Sequence, residues 1–127
     1  ATAEARAALP ASVPRADAVF NVQRVALLLA SLQAGRPAAL AVALEDRLHQ
    51  PYRLKLFPWL TALAAAARAA AALACALSGA GPSVLAGTAG DPEPVARAME
   101  AALRGAGLGG TARAFDVDTT GAISRAL

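Results

Sequence analysis

The sequence predicts an α+β domain, in which an antiparallel sheet of about four strands carries helices packed on one face. Apolar residues recur at helical spacing early in the chain, and two short apolar runs flank a glycine-rich turn in its middle. A further helical run is followed by two short segments of strand-like composition. The chain has 127 residues, the length of one domain, so we assign residues 1–127 to a single unit.

Four helices are expected, each marked by residues that begin or end a helix. Asp17 precedes the first, which has apolar residues three or four apart. Pro37 and Pro58 open the second and third, and Gly105 ends the fourth. Pro51 interrupts the second helix, so the polar residues around it belong to a helix end and the turn that follows. The predicted helices are residues 18–32, 38–48, 59–70 and 95–103.

Four short strands are expected as well, two on each side of the fourth helix. The first is rich in alanine, which has weak strand propensity, and the last two are joined by a turn at residues 119–121. The opening of the chain is followed by Pro10 and Pro14 and is not expected to form an extended helix. The predicted strands are residues 72–77, 83–87, 111–117 and 122–127.

Alanine dominates the hydrophobic composition and limits the core. Hydrophobic residues make up 57% of the chain, but aromatic residues only 4%. Because alanine removes little area from water, leucines and valines are expected to form most of the core. The large side chains expected to fill it are Phe20, Phe57, Trp59 and Phe115.

The distribution of charged and apolar residues argues against a nucleic-acid partner and against a membrane span. The net charge is +3 and the isoelectric point is near 10.0, but the arginines are scattered and have no stacking aromatics among them. This pattern argues against nucleic-acid binding. The longest apolar stretch, residues 59–77, is broken by Arg68 and is mostly alanine, which argues against a membrane span.

The reactive residues are too few for several kinds of site. One cysteine, Cys75, and one histidine, His49, make no disulfide, metal site or Ser/His/Asp triad. Cys75 lies in an apolar run and is expected to be a buried, inert thiol in a reducing, cytoplasmic compartment. Asp116 and Asp118 flank a turn and are interpreted as solvated turn formers rather than Mg²⁺ ligands.

Two polar segments are candidates for chemistry. The loop of residues 78–83 carries two glycines, which allow backbone N–H groups to approach an anion, although a tight hairpin explains it equally well. Arg53 and His49 lie four residues apart, and an arginine fork matches a carboxylate or phosphate. A helix C-terminal cap is an equally good interpretation of His49. By local reasoning alone, Thr2 and Arg6 belong to a frayed terminus.

Five segments occur in an order that resembles the C-terminal half of bacterial homoserine kinases, a family of the GHMP small-molecule kinase superfamily. The resemblance spans essentially the whole chain, and Pro-Tyr-Arg at its spacing from the glycine loop is its most specific part. The segments are Thr2-Ala-Glu-Ala-Arg6 with Leu9-Pro10, Phe20-Asn-Val-Gln-Arg24, Asp46-Arg-Leu-His-Gln-Pro-Tyr-Arg53, Leu77-Ser-Gly-Ala-Gly-Pro-Ser83 and Asp118-Thr-Thr-Gly-Ala122.

The resemblance implies ATP-dependent phosphorylation of the side-chain hydroxyl of L-homoserine in threonine biosynthesis, on a ferredoxin-like C-terminal domain. Arg6 and Arg53 would hold the substrate α-carboxylate, and Thr2 would lie near the reacting hydroxyl and the γ-phosphate. His49 joins this substrate-binding set, although not all members of the family carry it. The loop expected to border the site consists of Ser78, Gly79, Ala80, Gly81, Pro82 and Ser83.

The resemblance also implies a second domain. ATP and Mg²⁺ would be bound mainly by an N-terminal domain with a Pro-x-x-x-Gly-Leu-Gly-Ser-Ser loop, a Mg²⁺-binding glutamate and a His-x-Asp-Asn segment, none of which occurs in this sequence. Because the chain does not begin with methionine, it is expected to be a fragment. Because the phosphate loop and the metal ligand are missing, the chain alone is expected to bind no cofactor and to have no kinase activity. Its expected partners are L-homoserine, the N-terminal kinase domain and, through exposed apolar surface, a second copy in a homodimer.

Two alternatives remain open at this point. The chain could belong to another GHMP kinase, of the mevalonate or diphosphocytidyl-methylerythritol type, whose substrates carry different anionic groups. It could instead be a stand-alone α+β module that binds an amino acid through Arg6 and Arg53 and serves a regulatory role.

Overall fold

The computed structural model describes residues 2–124. These residues form six α-helices, one 3₁₀ turn and one antiparallel pair of strands, and the fold class is α+β as predicted. The helices are α1 (Thr2–Ala7), α2 (Arg15–Gln33), α3 (Leu40–Ala43), α4 (Gln50–Arg53), α5 (Leu60–Ala69) and α6 (Glu93–Gly105), and the strands are β1 (Ala74–Leu77) and β2 (Val84–Gly87).

Helix α2 confirms the first predicted helix and extends it by a few residues at its start. It ends where the backbone of Gly35 turns to a φ of +61°, which glycine adopts without steric cost. The N–H of Arg36 then donates to the carbonyl of Ser31 at 2.8 Å, closing the last turn of the helix.

The second predicted helix, residues 38–48, is wrong. A 3₁₀ turn over Pro37–Ala39 leads into the single-turn α3, which ends at Ala43. A separate helix, α4, starts at Gln50, and Pro51 stands in its first turn rather than interrupting a helix. The physical reason is the Asp46 side chain, which accepts backbone N–H groups from the residues that begin α4.

The opening of the chain is helical, which contradicts the expectation of a frayed terminus. Helix α1 packs against the rest of the domain through Ala5, whose exposed fraction is 1%. The carbonyl of Ala5 also accepts a hydrogen bond from the Arg53 side chain. The helix is over before Pro10, so the prolines limit its length without preventing it.

Helix α5 and the hairpin that follows it confirm the third helix and the first two strands. Ala71 has a φ of +72°, and its left-handed backbone turns the chain from α5 toward β1. Strand β1 pairs with β2 in antiparallel register, with Ala74 opposite Gly87 and Leu77 opposite Val84. Helix α6 confirms the fourth helix and packs on α5.

The third and fourth predicted strands are absent from the described residues. Residues 111–117 have no regular secondary structure and pair with no strand there, and Phe115 and Val117 are 84% and 89% exposed. The described part of residues 122–127 is likewise unpaired, and residues 125–127 lie outside the description. Asp118 accepts N–H groups from Thr120 and Gly121, which confirms the turn. The described sheet therefore has two strands instead of about four, because a strand needs a partner that local sequence does not supply.

The core lies between α5, α6 and β1 and is built largely from small residues. Alanine and leucine account for most of it, whereas several valines of α2 are exposed. Phe115 does not fill the core as expected, and Phe57 pairs with Trp59 at a ring-centroid distance of 5.8 Å. The buried hydrophobic residues are Ala5, Ala43, Leu60, Leu63, Ala67, Ala72, Ala74, Leu77 and Val95.

No helix within residues 2–124 combines the length and the apolar character needed to cross a membrane.

The loop between β1 and β2 contains two glycines with positive φ, and comparing them separates the effect of close packing on stability from the effect of backbone conformation. A Cβ on Gly81 would lie 2.5 Å from Cε2 of Phe57, at a backbone φ of +82°. We expect Gly81→Ala to lower the free energy of unfolding by about 2 kcal/mol or more, measured by urea denaturation. In the matched variant Gly79→Ala, the φ is +59° but the Cβ meets no described atom within 4 Å. That variant should lose only about 1 kcal/mol. Equal losses would contradict a packing role for Gly81.

Candidate functional site

The candidate site is centred on Arg53, where α1, α4 and the loop of residues 78–83 meet. The Arg53 residue is 8% exposed, although it carries a permanent positive charge. Its Nη1 donates to the carbonyl of Gly79 at 2.8 Å, and its Nε donates to the carbonyl of Ala5 at 3.4 Å. The guanidinium therefore joins two segments that are distant in sequence and holds the glycine-rich loop against α4.

His49 lies beside this guanidinium. Its Nδ1 is 3.2 Å from Nη1 of Arg53, and because arginine can only donate, a hydrogen bond between the two requires Nδ1 to accept. Nε2 in turn lies 3.8 Å from Oδ1 of Asp46. His49 occupies the N-cap position of α4, so the alternative interpretation of a helix C-terminal cap is wrong.

Asp46 fixes the start of α4, which carries Arg53. Its Oδ1 accepts from Nδ2 of Asn21 at 2.6 Å and from the N–H of Leu48 at 3.1 Å. Its Oδ2 accepts from the N–H groups of His49 and Gln50, at 2.9 and 2.5 Å. Burial of this carboxyl acts to raise its pKa, but these hydrogen bonds outweigh burial and hold the pKa of Asp46 below its ordinary value of 3.8.

A second set of contacts ties α2 to the segment before α4. The Oδ1 of Asn21 accepts from the N–H of Arg47 at 2.9 Å. Phe20 lies beneath two guanidinium groups, those of Arg24 and Arg47, at 4.0 and 3.8 Å from the ring centroid. Arg24 also forms an ion pair with Glu45 at 2.9 Å. Phe20 is thus part of a polar junction and not a core filler.

The glycine-rich loop forms a tight hairpin connection, as one of its two interpretations predicted. The N–H of Ser78 donates to the carbonyl of Ser83 at 2.9 Å, and that of Gly81 donates to the carbonyl of Ser78 at 3.2 Å. These two amides are satisfied within the loop and are not directed at an anion. What the loop offers to Arg53 is a carbonyl oxygen, that of Gly79.

The remaining predicted site residues lie on α1. Arg6 is exposed in the last turn of the helix, next to the residue whose carbonyl contacts Arg53. Thr2 begins α1, and its side chain lies outside the described part of the structure. The structure therefore brings together Arg53, His49 and Gly79, with the backbone of α1 beside them.

Sequence reasoning gave no role to Asn21, Asp46 or Gln50, whose hydrogen bonds fix α4 relative to α2 and to the hairpin. The sequence signal that could have identified Asp46 is its place shortly before Pro51, because an aspartate followed by a proline is typical of a helix start.

The other reactive groups lie away from this site. Across residues 2–124, no group of three or more His, Cys, Asp or Glu side chains is arranged to hold a metal ion. Cys75 is half-buried, and burial raises the pKa of its thiol despite the nearby charge of Arg68. The residue is thus less buried than predicted, while a raised pKa agrees with the low reactivity expected of this thiol.

Comparison with known proteins identifies the family. A sequence model described as GHMP kinases C terminal matches residues 28–105. The chain belongs to the GHMP kinase C-terminal family. The match includes α4, the hairpin and α6, and therefore takes in Arg53 and the glycine-rich loop.

Relatives of this GHMP kinase C-terminal domain are homoserine kinases. The chain is 46% identical over 122 residues to the homoserine kinase of Trichormus variabilis, covering 95% of the chain and 40% of the relative. It is 56% identical over 84 residues to that of Solibacter usitatus, covering 66% of the chain and 27% of the relative. The chain spans about 40% of the length of the curated relatives that match nearly all of it.

A solved structure shares the fold. The crystal structure of homoserine kinase from Cytophaga hutchinsonii superimposes with a TM-score of 0.79 at 28% identity. The match covers 86% of this chain and 35% of that protein.

Removing the Asp46 carboxylate should destabilise this domain in a pH-dependent way. Because the folded pKa is depressed, the stabilisation is present above the ordinary pKa and is lost as pH falls through the folded pKa. We expect Asp46→Ala to lower the free energy of unfolding by about 2 kcal/mol at about pH 7. The difference from the parent chain should shrink on acidification to about pH 3, measured by urea denaturation at each pH.

The control is Asp91→Ala, since among the described residues the exposed Asp91 accepts one hydrogen bond, from the N–H of Glu93 at 3.0 Å. It should cost less than Asp46→Ala at neutral pH. A loss for Asp46→Ala that is independent of pH would contradict the role assigned to the ionised carboxylate.

Proposed function

We propose that this domain is the substrate side of a homoserine kinase, which transfers the γ-phosphoryl group of ATP to the side-chain hydroxyl of L-homoserine. The products are O-phospho-L-homoserine and ADP, and the reaction belongs to threonine biosynthesis. The observation that carries the proposal is the match to homoserine kinases over nearly the whole chain, at 46% identity over 122 residues for the Trichormus enzyme. The kinase family of the domain supports the same reaction class.

The proposed role of Arg53 is to bind the α-carboxylate of homoserine. Its partners are two carbonyl oxygens and an imidazole nitrogen, and among the described residues no carboxylate lies within ion-pair distance of it. A buried cation surrounded only by dipoles is incompletely compensated, so an incoming carboxylate would be strongly favoured. The recorded hydrogen bonds use Nε and Nη1, and Nη2 is the nitrogen that we assign to the substrate.

The proposed roles of the neighbouring residues follow from their places around Arg53. Arg6 lies on α1, whose backbone contacts Arg53 through Ala5, and we assign it a second contact to the same carboxylate. We place Thr2, at the start of α1, near the reacting hydroxyl. His49 would support the orientation of Arg53 through its Nδ1 contact, and the loop of residues 78–83 would border the bound substrate.

The nucleotide is proposed to be held mainly by an N-terminal domain, which would be the partner of this one. The N–H groups of Ser78 and Gly81 support this division, because they are satisfied within the hairpin and are not offered to a phosphate. Bound ATP and Mg²⁺ supply the transferable phosphoryl group and neutralise its charge. The residues of this domain would anchor the carboxylate end of homoserine, so that its hydroxyl faces the nucleotide in a fixed geometry.

Replacing Arg53 in the full-length kinase tests the proposed carboxylate contact. Arg53→Lys keeps the charge but loses the planar fork, so we expect the KM for L-homoserine to rise by about 30-fold. The KM for ATP should stay within about twofold, because the lost contact is to homoserine and not to the nucleotide. Arg15→Lys, at the exposed start of α2, is the matched control and should change neither constant.

An unchanged KM for homoserine would exclude Arg53 as the carboxylate contact. A larger effect on a phosphorylated alcohol substrate would favour another GHMP kinase.

The activity of the isolated chain is a second test. With ATP, Mg²⁺ and L-homoserine, the purified 127-residue chain should form no O-phosphohomoserine, monitored by phosphorus NMR. The same assay with the N-terminal domain joined to it should form product. Product from the chain alone would contradict the division of roles between two domains. Tight calorimetric binding of homoserine or threonine without nucleotide would favour the amino-acid-binding module instead.

A further inference from the structure

Both ends of α4 hold the same short stretch of the hairpin. At its first residue, Oε1 of Gln50 accepts from the N–H of Leu77 at 3.0 Å. At its last residue, Nη1 of Arg53 donates to the carbonyl of Gly79 at 2.8 Å. The helix is one turn, about 6 Å long, so the two contacts act on neighbouring points of the chain. The end of β1 and the start of the loop are therefore fixed to α4 at two places.

The N–H of Leu77 needs a partner outside the hairpin. In antiparallel pairs, successive N–H groups along a strand point to opposite edges. The N–H of Ser78 donates across the hairpin to Ser83, so that of Leu77 points to the other edge of β1. Within the described residues no strand pairs with that edge. The side chain of Gln50 occupies the place of a neighbouring strand's carbonyl.

The position of Gln50 does not depend on Arg53. Its N–H donates to Oδ2 of Asp46 at 2.5 Å, and its Nε2 donates to the carbonyl of Leu44 at 3.4 Å. Asp46 is itself held by Asn21 of α2. The Gln50 side chain is thus anchored to the end of α3 through Leu44, and the Gln50 backbone to α2 through Asp46, so the side chain holds the hairpin from a fixed position.

We propose that Gln50 is a positioning residue, which fixes the end of β1 relative to α4 so that Arg53 meets Gly79 in one geometry. The inference rests on the proposed carboxylate-binding role of Arg53. Gln50 need not touch the substrate, since its two amide atoms are occupied by Leu44 and Leu77. Without it, Arg53 would be the one side chain of α4 that hydrogen-bonds to this part of the hairpin among the described residues, and the guanidinium would shift with the loop.

The test compares three replacements of Gln50 in the full-length kinase. Gln50→Met keeps the length and removes both hydrogen bonds, and the KM for L-homoserine should rise by about tenfold with kcat and the KM for ATP within about twofold. Gln50→Asn, one methylene shorter, should behave like the Met variant. Gln50→Glu keeps the acceptor for Leu77 and loses only the longer contact to Leu44, so its KM should stay within about threefold of the parent. Gln23→Met, at an exposed position of α2, is the matched control and should change nothing.

A second measurement on the chain itself separates this inference from the proposed function. The Nε–Hε group of Arg53, followed by NMR, should exchange with solvent faster in Gln50→Met and Gln50→Asn than in the parent chain, and should be restored in Gln50→Glu. Equal exchange in all variants would overturn the positioning role, even if the enzyme phosphorylates homoserine. A loss confined to kcat, or a Glu variant as impaired as the Met variant, would also overturn it. If the parent enzyme ignores homoserine while the exchange rates behave as expected, the proposed function fails and the positioning of Arg53 stands.

Discussion

The site depends on one buried carboxylate, that of Asp46. Its side chain is 6% exposed, and its two oxygens accept from the Asn21 amide and from three consecutive backbone N–H groups. The first N–H groups of a helix have no acceptor within the helix, and at the start of α4 the Asp46 carboxylate supplies one. The hydrogen bond from Asn21 adds a tertiary constraint, because it fixes this helix start relative to α2. The direction of α4, and with it the placement of Gln50 and Arg53, follows from that arrangement.

A cation in such a place is costly unless it is compensated. Arg53 is 8% exposed, and its described partners are two carbonyl dipoles and an imidazole nitrogen. Dipoles reduce the desolvation cost of a guanidinium but do not cancel its charge. Under the proposed function, the substrate carboxylate completes the compensation, and the carbonyls of Ala5 and Gly79 serve to orient the guanidinium beforehand. A binding group that is already fixed loses little freedom when the substrate arrives.

The elements that sequence predicted well are those whose signals are local. The helical spacing in α2, the proline before α5 and the glycines between β1 and β2 all act within a few residues. The failures depend on distant partners. The predicted helix over 38–48 ends early, at Ala43, and the chain then turns to Asp46, which is held by Asn21, 25 residues away. Helix α1 is held by an arginine 48 residues away, and residues 111–117 lack a described strand to pair with. The proximity of Arg53 to the loop was expected only from the family resemblance, since spacing alone carries no such information.

The composition explains why polar contacts have this importance. Aromatic residues are only 4% of the chain, and five of the nine buried hydrophobic residues are alanines. Alanine allows helices to approach closely, but its single methyl group interlocks little with its neighbours, so shape alone restricts relative rotation and sliding weakly. Hydrogen bonds to backbone groups are directional and have narrow distance ranges. In this domain they supply the orientation that large interdigitating side chains supply elsewhere. The orientation of Arg53 is therefore expected to be more sensitive to the loss of Asn21, Asp46 or Gln50 than to conservative changes in the core.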